Sequence, residues 1–188
     1  MLLMALLEAH NLVKQYVGRR VVDDVSFHVE EGEIVGLLGR NGAGKTTSFR
    51  MVIGMISPEA GTIRFGGNDV TGLPMYQHAR MGMGYLSQEP SVFQRLSVAD
   101  NLLAVLETTS LDRTAQRSRC KELLQQFGLE HKANELARTC SGGERRRLEI
   151  ARAMVTRPRL LLLDEPFAAV DPHTVEELQA EVRKLAEQ

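Results

Sequence analysis

The sequence has very little cysteine and almost no net charge, and both shortages exclude whole classes of protein. Among 188 residues there are two cysteines, Cys120 and Cys140, and they do not form a C-x-x-C pair. This arrangement argues against a disulfide framework or a zinc site and fits a reduced, cytosolic setting. The formal net charge of −1 gives no reason to expect nucleic acid as a main partner. The only basic cluster, Arg145–Arg147, falls in a predicted helix, where we expect a solvated or partner-facing surface.

Long apolar runs are also missing. The apolar start, Met1–Leu7, lacks the basic region and the small-residue cleavage site of a signal peptide. It is also too short to cross a bilayer, so any membrane role must come through a partner. The length of 188 residues, with 43% hydrophobic and 25% charged residues, is typical of one soluble globular domain.

The most specific pattern is a phosphate-binding loop. Residues Gly39–Thr46 match G-x-x-x-x-G-K-[ST] at every fixed position. The apolar run Glu33–Leu38 before the loop predicts a buried strand, and Thr46–Ile53 after it predicts a helix. The alternative, a glycine-rich turn beside a surface lysine, is disfavoured by this strand–loop–helix context.

Each residue type in the loop has a physical role toward a polyphosphate. Gly42 and Gly44 lack a Cβ, so the backbone can approach the phosphates closely. The helix N-terminus supplies N–H groups and partial positive charge. Lys45 is predicted to bind the β- and γ-phosphates, and the Thr46 hydroxyl is predicted to ligate Mg²⁺.

The remaining pattern predicts a sheet interrupted by helices. Capping patterns at Ser97 and Asp112 begin two helices in the middle of the chain, and Asp171–Pro172 begins the last helix. The strands are predicted at 6–16, 21–29, 62–65, 82–87 and 160–163, the last of them a leucine run that we expect to be buried on both faces.

Two carboxylates follow the leucine run. Asp164 and Glu165 are expected at the carboxyl end of that strand, beside the phosphate loop. Asp164 is predicted to hold Mg²⁺, and Glu165 to polarise the attacking water. Gln88 is either an ordinary strand-end residue or an amide that contacts both Mg²⁺ and that water.

A second glycine-containing segment, Ser141–Glu144, matches a capping box at the start of a helix. Capping alone explains the serine and the glutamate. Gly142 and Gly143 add exposed N–H groups at the positive end of the helix dipole, which predicts a second anion site. Tyr16 is either a purine-stacking aromatic or a half-buried strand tyrosine, and its spacing alone favours the second.

The phosphate loop, Gln88, Cys140–Glu144 and Leu160–Glu165 occur in the order and spacing of ABC-transporter nucleotide-binding domains, and the chain resembles that family over nearly its whole length. The resemblance implies an α/β fold with a P-loop NTPase (RecA-like) core, an N-terminal antiparallel β subdomain and a helical insertion subdomain. We expect the core at about 1–90 and 146–188 and the helical subdomain at about 91–145.

The resemblance also implies a head-to-tail homodimer that holds ATP and Mg²⁺ at its interface, with Ser141 and its glycines facing the γ-phosphate bound by the other subunit. The implied nucleotide contacts are Tyr16, Gly39, Arg40, Asn41, Gly42, Ala43, Gly44, Lys45, Thr46, Thr47, Ser141, Gly142, Gly143, Glu144 and Asp171. The implied metal ligands are Thr46, Gln88 and Asp164, and the implied catalytic residues are Glu165 and Gln88. Tyr16 would stack on adenine, and Asp171 would link the two sites of the dimer.

Within this family, the segments Tyr85–Val98, Gly142–Ala153 and Asp164–Ala168 are similar to the ATPases of lipopolysaccharide-export transporters. This implies a peripheral location on the cytoplasmic face of an inner membrane, with the coupling helix of a transmembrane permease docked near Phe93, Gln94 and Arg95. The alternatives are the ATPase of a branched-chain amino acid importer and an inactive nucleotide-binding fragment.

Two departures from the family pattern stand out. Cys140 occupies the place where the family signature usually has leucine, and we expect little effect on ATP binding. Family members continue into a further core strand and a switch histidine, which none of the five histidines matches. We therefore expect a C-terminally truncated domain that exposes a sheet edge, binds nucleotide and lacks part of the hydrolytic machinery.

Overall fold

The computed structural model of the protein describes residues 5–168 and 172–186. The chain forms two compact units, one comprising the residues up to Met83 together with Ala186, and one comprising Gly84–Leu185. No helix in the described ranges is both long and apolar enough to span a membrane.

The first unit is built on an antiparallel sheet of four strands in the order β2-β1-β3-β4. The elements of this unit are β1 (Leu7–Tyr16), β2 (Arg19–Val29), α1 (Lys45–Val52), β3 (Ala60–Phe65), β4 (Asn68–Asp69) and α2 (Met75–Arg80). Alternation along the strands places one face in the core, as in β3, where Ile63 and Phe65 are buried and Arg64 is exposed.

The predicted buried strand at Glu33–Leu38 is wrong. Residues 33–40 belong to no strand, and Ile34 is 55% and Leu38 93% exposed. An apolar run becomes a strand only when a neighbouring strand accepts and donates its backbone hydrogen bonds. The four strands of this unit's sheet pair with one another, and none of them pairs with this run.

The second unit combines helices with a small sheet. Its elements are β5 (Met83–Leu86), which begins at the end of the first unit, α3 (Val98–Leu106), α4 (Arg113–Gln126), two 3₁₀ turns (Glu130–Lys132 and Ala137–Thr139), α5 (Gly142–Ala153), β6 (Leu160–Leu163) and α6 (Pro172–Ala186). β5 and β6 pair as a two-stranded sheet. In β6 only Leu162 is buried and its neighbours are half-buried, so the predicted burial on both faces is only partly realised.

The helix starts of this unit follow the predicted caps. Ser97 accepts a hydrogen bond from the Asp100 N–H (3.0 Å), and Asp112 accepts one from the Ala115 N–H (2.8 Å). The helices then close over a core to which α3, α4, α5 and α6 all contribute. Its members include Leu102, Leu106, Leu123, Phe127, Leu148 and Leu178.

Candidate active site

The phosphate loop lies in the first unit as an exposed turn that ends in α1. Residues 39–43 are exposed, and Gly44, the N-cap of α1, has a left-handed backbone with φ of 89°. The first turn of α1 contains no acidic side chain, so nothing within the helix offsets the positive end of its dipole. The loop thus has the conformation and the charge of an anion site.

Lys45 lies across this loop. Its ammonium donates hydrogen bonds to the carbonyl oxygens of Gly39 (2.7 Å) and Arg40 (3.1 Å). An ammonium has three donors, and two of them are directed to the loop itself. The positive charge is therefore held over the turn by the backbone that forms it, where a bound phosphate would meet it.

Gly44 is required both by its conformation and by its surroundings. A Cβ at this position would lie 2.2 Å from the Val21 carbonyl oxygen and 3.0 Å from Val22 Cγ2. We expect Gly44→Ala to destabilise the protein by about 3 kcal/mol, from left-handed strain and overpacking. Thermal unfolding would show this as a decrease of roughly 5–10 °C in Tm.

The matched control for this substitution is Gly42→Ala. Gly42 also has a positive φ, but its Cβ would meet nothing within 4 Å. The control should therefore lose only the conformational part, about 1 kcal/mol. Equal losses in the two variants would contradict the proposed steric role of Gly44.

Tyr16 ends β1 on the surface of the first unit. Its side chain is 46% exposed, with the Lys14 ammonium 5.7 Å from the ring centre. The ring is thus more exposed than the half-buried tyrosine that its spacing favoured. One face remains suited to stacking on a planar group.

In the second unit, the structure brings together Asp164, Glu165 and Gln88. Asp164 is 2% exposed, its N–H donates to the Leu86 carbonyl (3.0 Å), and its Oδ2 accepts from the Tyr85 hydroxyl at 3.3 Å. Glu165 is exposed, and its Oε2 accepts a 2.8 Å hydrogen bond from Gln88 Nε2. A buried carboxylate and an exposed carboxylate–amide pair thus lie at the ends of β5 and β6.

The turn after β6 places these two carboxylates differently. Glu165 has a φ of 46°, in the left-handed region that residues with side chains rarely adopt. Successive strand residues point to opposite faces, and this turn is what ends that alternation. Such backbone conformations persist where surrounding contacts enforce them, and they concentrate at functional sites.

Arg146 contacts this turn, and the residue pattern alone did not indicate that contact. Arg146 is 7% exposed, and its guanidinium donates to the Pro166 carbonyl (2.8 Å), the Ser87 carbonyl (3.3 Å) and Glu149 Oε2 (2.8 Å). The local sequence signal for its burial was the spacing of Arg146 and Glu149, a cation and an anion three residues apart on one helix with Leu148 between them.

The prediction for Arg145–Arg147 was a solvated or partner-facing surface, and the solvated alternative is wrong for Arg146. Besides the buried Arg146, Arg145 donates to the Cys140 carbonyl (3.3 Å), and Arg147 pairs with Glu177 and with Glu181 (3.7 Å) on α6. All three guanidiniums serve internal contacts. Their acceptors include the Cys140 and Pro166 carbonyls and carboxylates of α6.

The second predicted anion site begins α5, and its capping box is confirmed. The Ser141 hydroxyl accepts from the Glu144 N–H (3.2 Å), and a Glu144 carboxylate oxygen accepts from the Ser141 N–H (2.7 Å). The hydrogen bond from the Ser141 N–H to the Glu144 carboxylate holds the pKa of Glu144 below its ordinary value. His131 lies 3.5 Å from the other carboxylate oxygen.

The two glycines of this segment have different roles. A Cβ at Gly143 would lie 2.7 Å from Thr174 Cγ2 on α6, so a larger residue there would displace the Thr174 side chain. Gly142 is exposed and has open space around it. The Gly142 N–H therefore lies at the exposed start of the helix, a position suited to an anion.

Cys140 directly precedes this segment. It is buried, and burial raises the pKa of its thiol, so it acts as a small apolar residue.

The predicted docking site for a partner is on the surface. Phe93 is 48% exposed beside the exposed Gln94 and Arg95, with the Arg152 guanidinium 4.5 Å from its ring centre. Asp171 lies outside the described residues.

Within residues 5–168 and 172–186 there is no cluster of three or more His, Cys, Asp or Glu side chains that could hold a metal ion by themselves. Mg²⁺ keeps most of its water and uses one or two protein oxygens together with substrate phosphates, and the buried carboxylate of Asp164 is an oxygen group of the kind it takes.

The chain matches the family model described as ABC transporter over residues 22–168. It is 51% identical over 183 residues to the Escherichia coli protein named lipopolysaccharide export system ATP-binding protein LptB, covering 97% of this chain and 76% of that protein. The protein of the same name from Acidithiobacillus ferridurans is 52% identical over 180 residues, covering 96% of this chain and 75% of that protein.

Solved structures agree with these sequence matches. The ATP-binding cassette MJ1267 of an ABC transporter superposes with a TM-score of 0.90 at 25% identity, covering 98% of this chain and 78% of that one. The dimeric, post-hydrolysis cassette MJ0796 bound to ADP and Pi superposes with a TM-score of 0.84 at 26% identity, covering 96% and 83%. The fold is that of a P-loop NTPase, and the chain belongs to the ABC transporter family.

Proposed function

We propose that this chain is the ATP-binding and ATP-hydrolysing subunit of a transporter that exports lipopolysaccharide across the bacterial envelope. The observation that carries the choice of substrate is the 51% identity, over 97% of the chain, to an ATP-binding protein named for that system. The observation that carries ATPase chemistry is the 2.8 Å contact between Gln88 and Glu165 in a chain with a complete phosphate loop.

The adenine and the phosphates of ATP are proposed to bind through residues of the first unit. The N–H groups of the loop and the Lys45 ammonium would neutralise the β- and γ-phosphates, and Tyr16 would stack on adenine. Thr46, Asp164 and Gln88 would hold Mg²⁺, which neutralises charge on the phosphates when bound. The support is the loop conformation and the exposed ring of Tyr16.

Hydrolysis is proposed to use Glu165 as general base. Its carboxylate takes a proton from water while the water oxygen forms a bond to the γ-phosphorus. The bond from that phosphorus to the β–γ bridging oxygen breaks, and ADP and phosphate leave. The Gln88 amide orients Glu165. Because Glu165 is exposed, water can reach its carboxylate.

The working form is proposed to be a head-to-tail homodimer. The exposed first turn of α5, with Ser141 and Gly142 outermost, fits a γ-phosphate bound by a second copy. Glu144 stabilises that turn, and Asp171 is assigned to the link between the two sites. The solved cassette described as dimeric with ADP and Pi supports this assembly.

The transmembrane partner is proposed to dock its coupling helix at Phe93, Gln94 and Arg95, which places the subunit on the cytoplasmic face of the inner membrane. The exposed ring of Phe93 is a suitable apolar anchor.

The domain is proposed to consist of a core at about 1–90 and 146–188 and a helical subdomain at about 91–145.

Co-purification tests the substrate assignment. The tagged chain is expressed with the membrane subunits of a lipopolysaccharide export transporter or, separately, with those of a branched-chain amino acid importer. We expect capture of the first set only, and loss of that capture with Phe93→Ser. Leu111→Ser, which changes another exposed apolar side chain of the same unit, is the matched control. Capture of the importer subunits alone, or of neither set, would reject lipopolysaccharide export.

A further inference from the structure

The strongest unassigned feature is the buried guanidinium of Arg146 in the second unit. It donates to two backbone carbonyls, those of Pro166 (2.8 Å) and Ser87 (3.3 Å), and lies 3.5 Å from the carbonyl of Glu165. Its remaining hydrogen bond goes to Glu149 Oε2 at 2.8 Å. One side chain of α5 therefore contacts the loop after β5 and the turn after β6.

These contacts surround the Gln88–Glu165 pair without touching the side chains of either residue. Ser87 directly precedes Gln88, and the other two carbonyls belong to Glu165 and the residue after it. A single hydrogen bond between two exposed side chains contributes little to stability and does not fix two loops by itself. The backbone contacts of Arg146 supply the constraint that the pair lacks.

Glu149 makes this arrangement possible inside the protein. A buried cation is costly unless it is paired, and the Arg146 and Glu149 side chains are 8% and 4% exposed at their 2.8 Å contact. The second carboxylate oxygen of Glu149 accepts from the Ser91 N–H at 2.9 Å. The pair therefore holds the loop after β5 at two points.

The identity of the cation matters as much as its charge. A guanidinium is planar and presents five donors in a fixed fork, so it can span several carbonyls at once. An ammonium is a compact charge with three donors and cannot reach the same set. Because the Arg146 donors are directed to internal acceptors, this residue is not placed to bind a phosphate or a partner.

We propose that Arg146 is a positioning residue for ATP hydrolysis, which holds Gln88 and Glu165 at hydrogen-bonding distance by fixing the two loops that carry them. This inference rests on the proposed ATPase function. The role is indirect, since the guanidinium contacts backbone atoms rather than substrate.

The first test is Arg146→Lys, which keeps the charge and the ion pair with Glu149 but removes the fork. We expect kcat for ATP to fall by about 10- to 100-fold, because a small misplacement of catalytic groups is that costly. The KM and the Kd for ATP should stay unchanged, because the phosphate loop is untouched. A kcat equal to that of the unmodified chain would overturn the proposal.

The matched control is Arg119→Lys. Arg119 is a largely buried arginine of α4 that pairs with Glu122 and donates to the Met154 carbonyl at 2.9 Å. The same substitution there removes a similar guanidinium fork at a position that does not contact Gln88 or Glu165. An equal loss of kcat in both variants would mean that Arg146 is merely structural.

Hydrogen–deuterium exchange gives a readout that does not require turnover. Peptides covering 85–93 and 162–168 should exchange faster in Arg146→Lys, while the α4 peptides exchange as before. If that variant does not fold, the double variant Arg146→Met/Glu149→Met removes both charges together and is measured in the same way.

Unchanged exchange at 85–93 and 162–168 would reject the proposal. Absence of ATPase activity in the unmodified chain would instead reject the proposed function and leave exchange to decide the role of Arg146.

Discussion

Replacing Glu165 with glutamine is expected to lower the rate of ATP turnover by about 10²- to 10³-fold and to leave ATP affinity unchanged. Glutamine keeps the size of the side chain and an oxygen that can accept the hydrogen bond from Gln88 Nε2. It cannot accept a proton from water. The substitution therefore removes the proposed base while preserving the geometry around it, and steady-state phosphate release measures the loss.

Glu89→Gln is the matched control, because Glu89 is an exposed carboxylate in the same loop as Gln88. Its turnover should equal that of the unmodified chain. The Glu165→Gln variant should also accumulate more ATP-dependent dimer in gel filtration than the unmodified chain, since hydrolysis no longer releases it. Unaltered turnover together with unaltered dimer formation would show that Glu165 does not have the proposed role.

Local features of the fold were predictable from the sequence because they depend on neighbouring residues. The caps at Ser97, Asp112 and Ser141 each use a side chain and an N–H three residues later, so the pattern contains both partners. In each case the physical cause lies within four residues of the effect.

Pairing and burial between distant segments were not predictable in this way. The apolar run at 33–38 has the composition of a buried strand, but a strand also needs a partner, and no local pattern states whether one is present. The prediction for Arg146 was wrong because its hydrogen-bond partners are present but distant in sequence. They lie 20 and 59 residues away at Pro166 and Ser87, so the local sequence does not distinguish a buried arginine from a solvated one.

The candidate site was predictable in part. The phosphate loop, Asp164 and Glu165 follow from patterns with a physical reason. The contact between Gln88 and Glu165 joins residues 77 apart. The residue pattern left a shared role for Gln88 as one of two alternatives, and the family resemblance favoured it. The structure adds the bond itself and the left-handed backbone at Glu165.

Lys45→Ala is expected to weaken ATP binding by about 100-fold, or about 2.8 kcal/mol. The substitution removes the ammonium that the carbonyls of Gly39 and Arg40 hold over the loop, and with it the charge proposed for the β- and γ-phosphates. AMP, which lacks both phosphates, should lose little affinity. Lys121→Ala, which removes an exposed lysine of α4, is the control for the change in net charge.

The most direct measurement is therefore a calorimetric titration of the unmodified chain and of Lys45→Ala with ATP and Mg²⁺. The account predicts saturable binding by the unmodified chain and by Lys121→Ala, and binding about 100-fold weaker by Lys45→Ala. Equal ATP affinity with and without the Lys45 ammonium, or no ATP binding by the unmodified chain, would contradict the claim that this loop binds a polyphosphate.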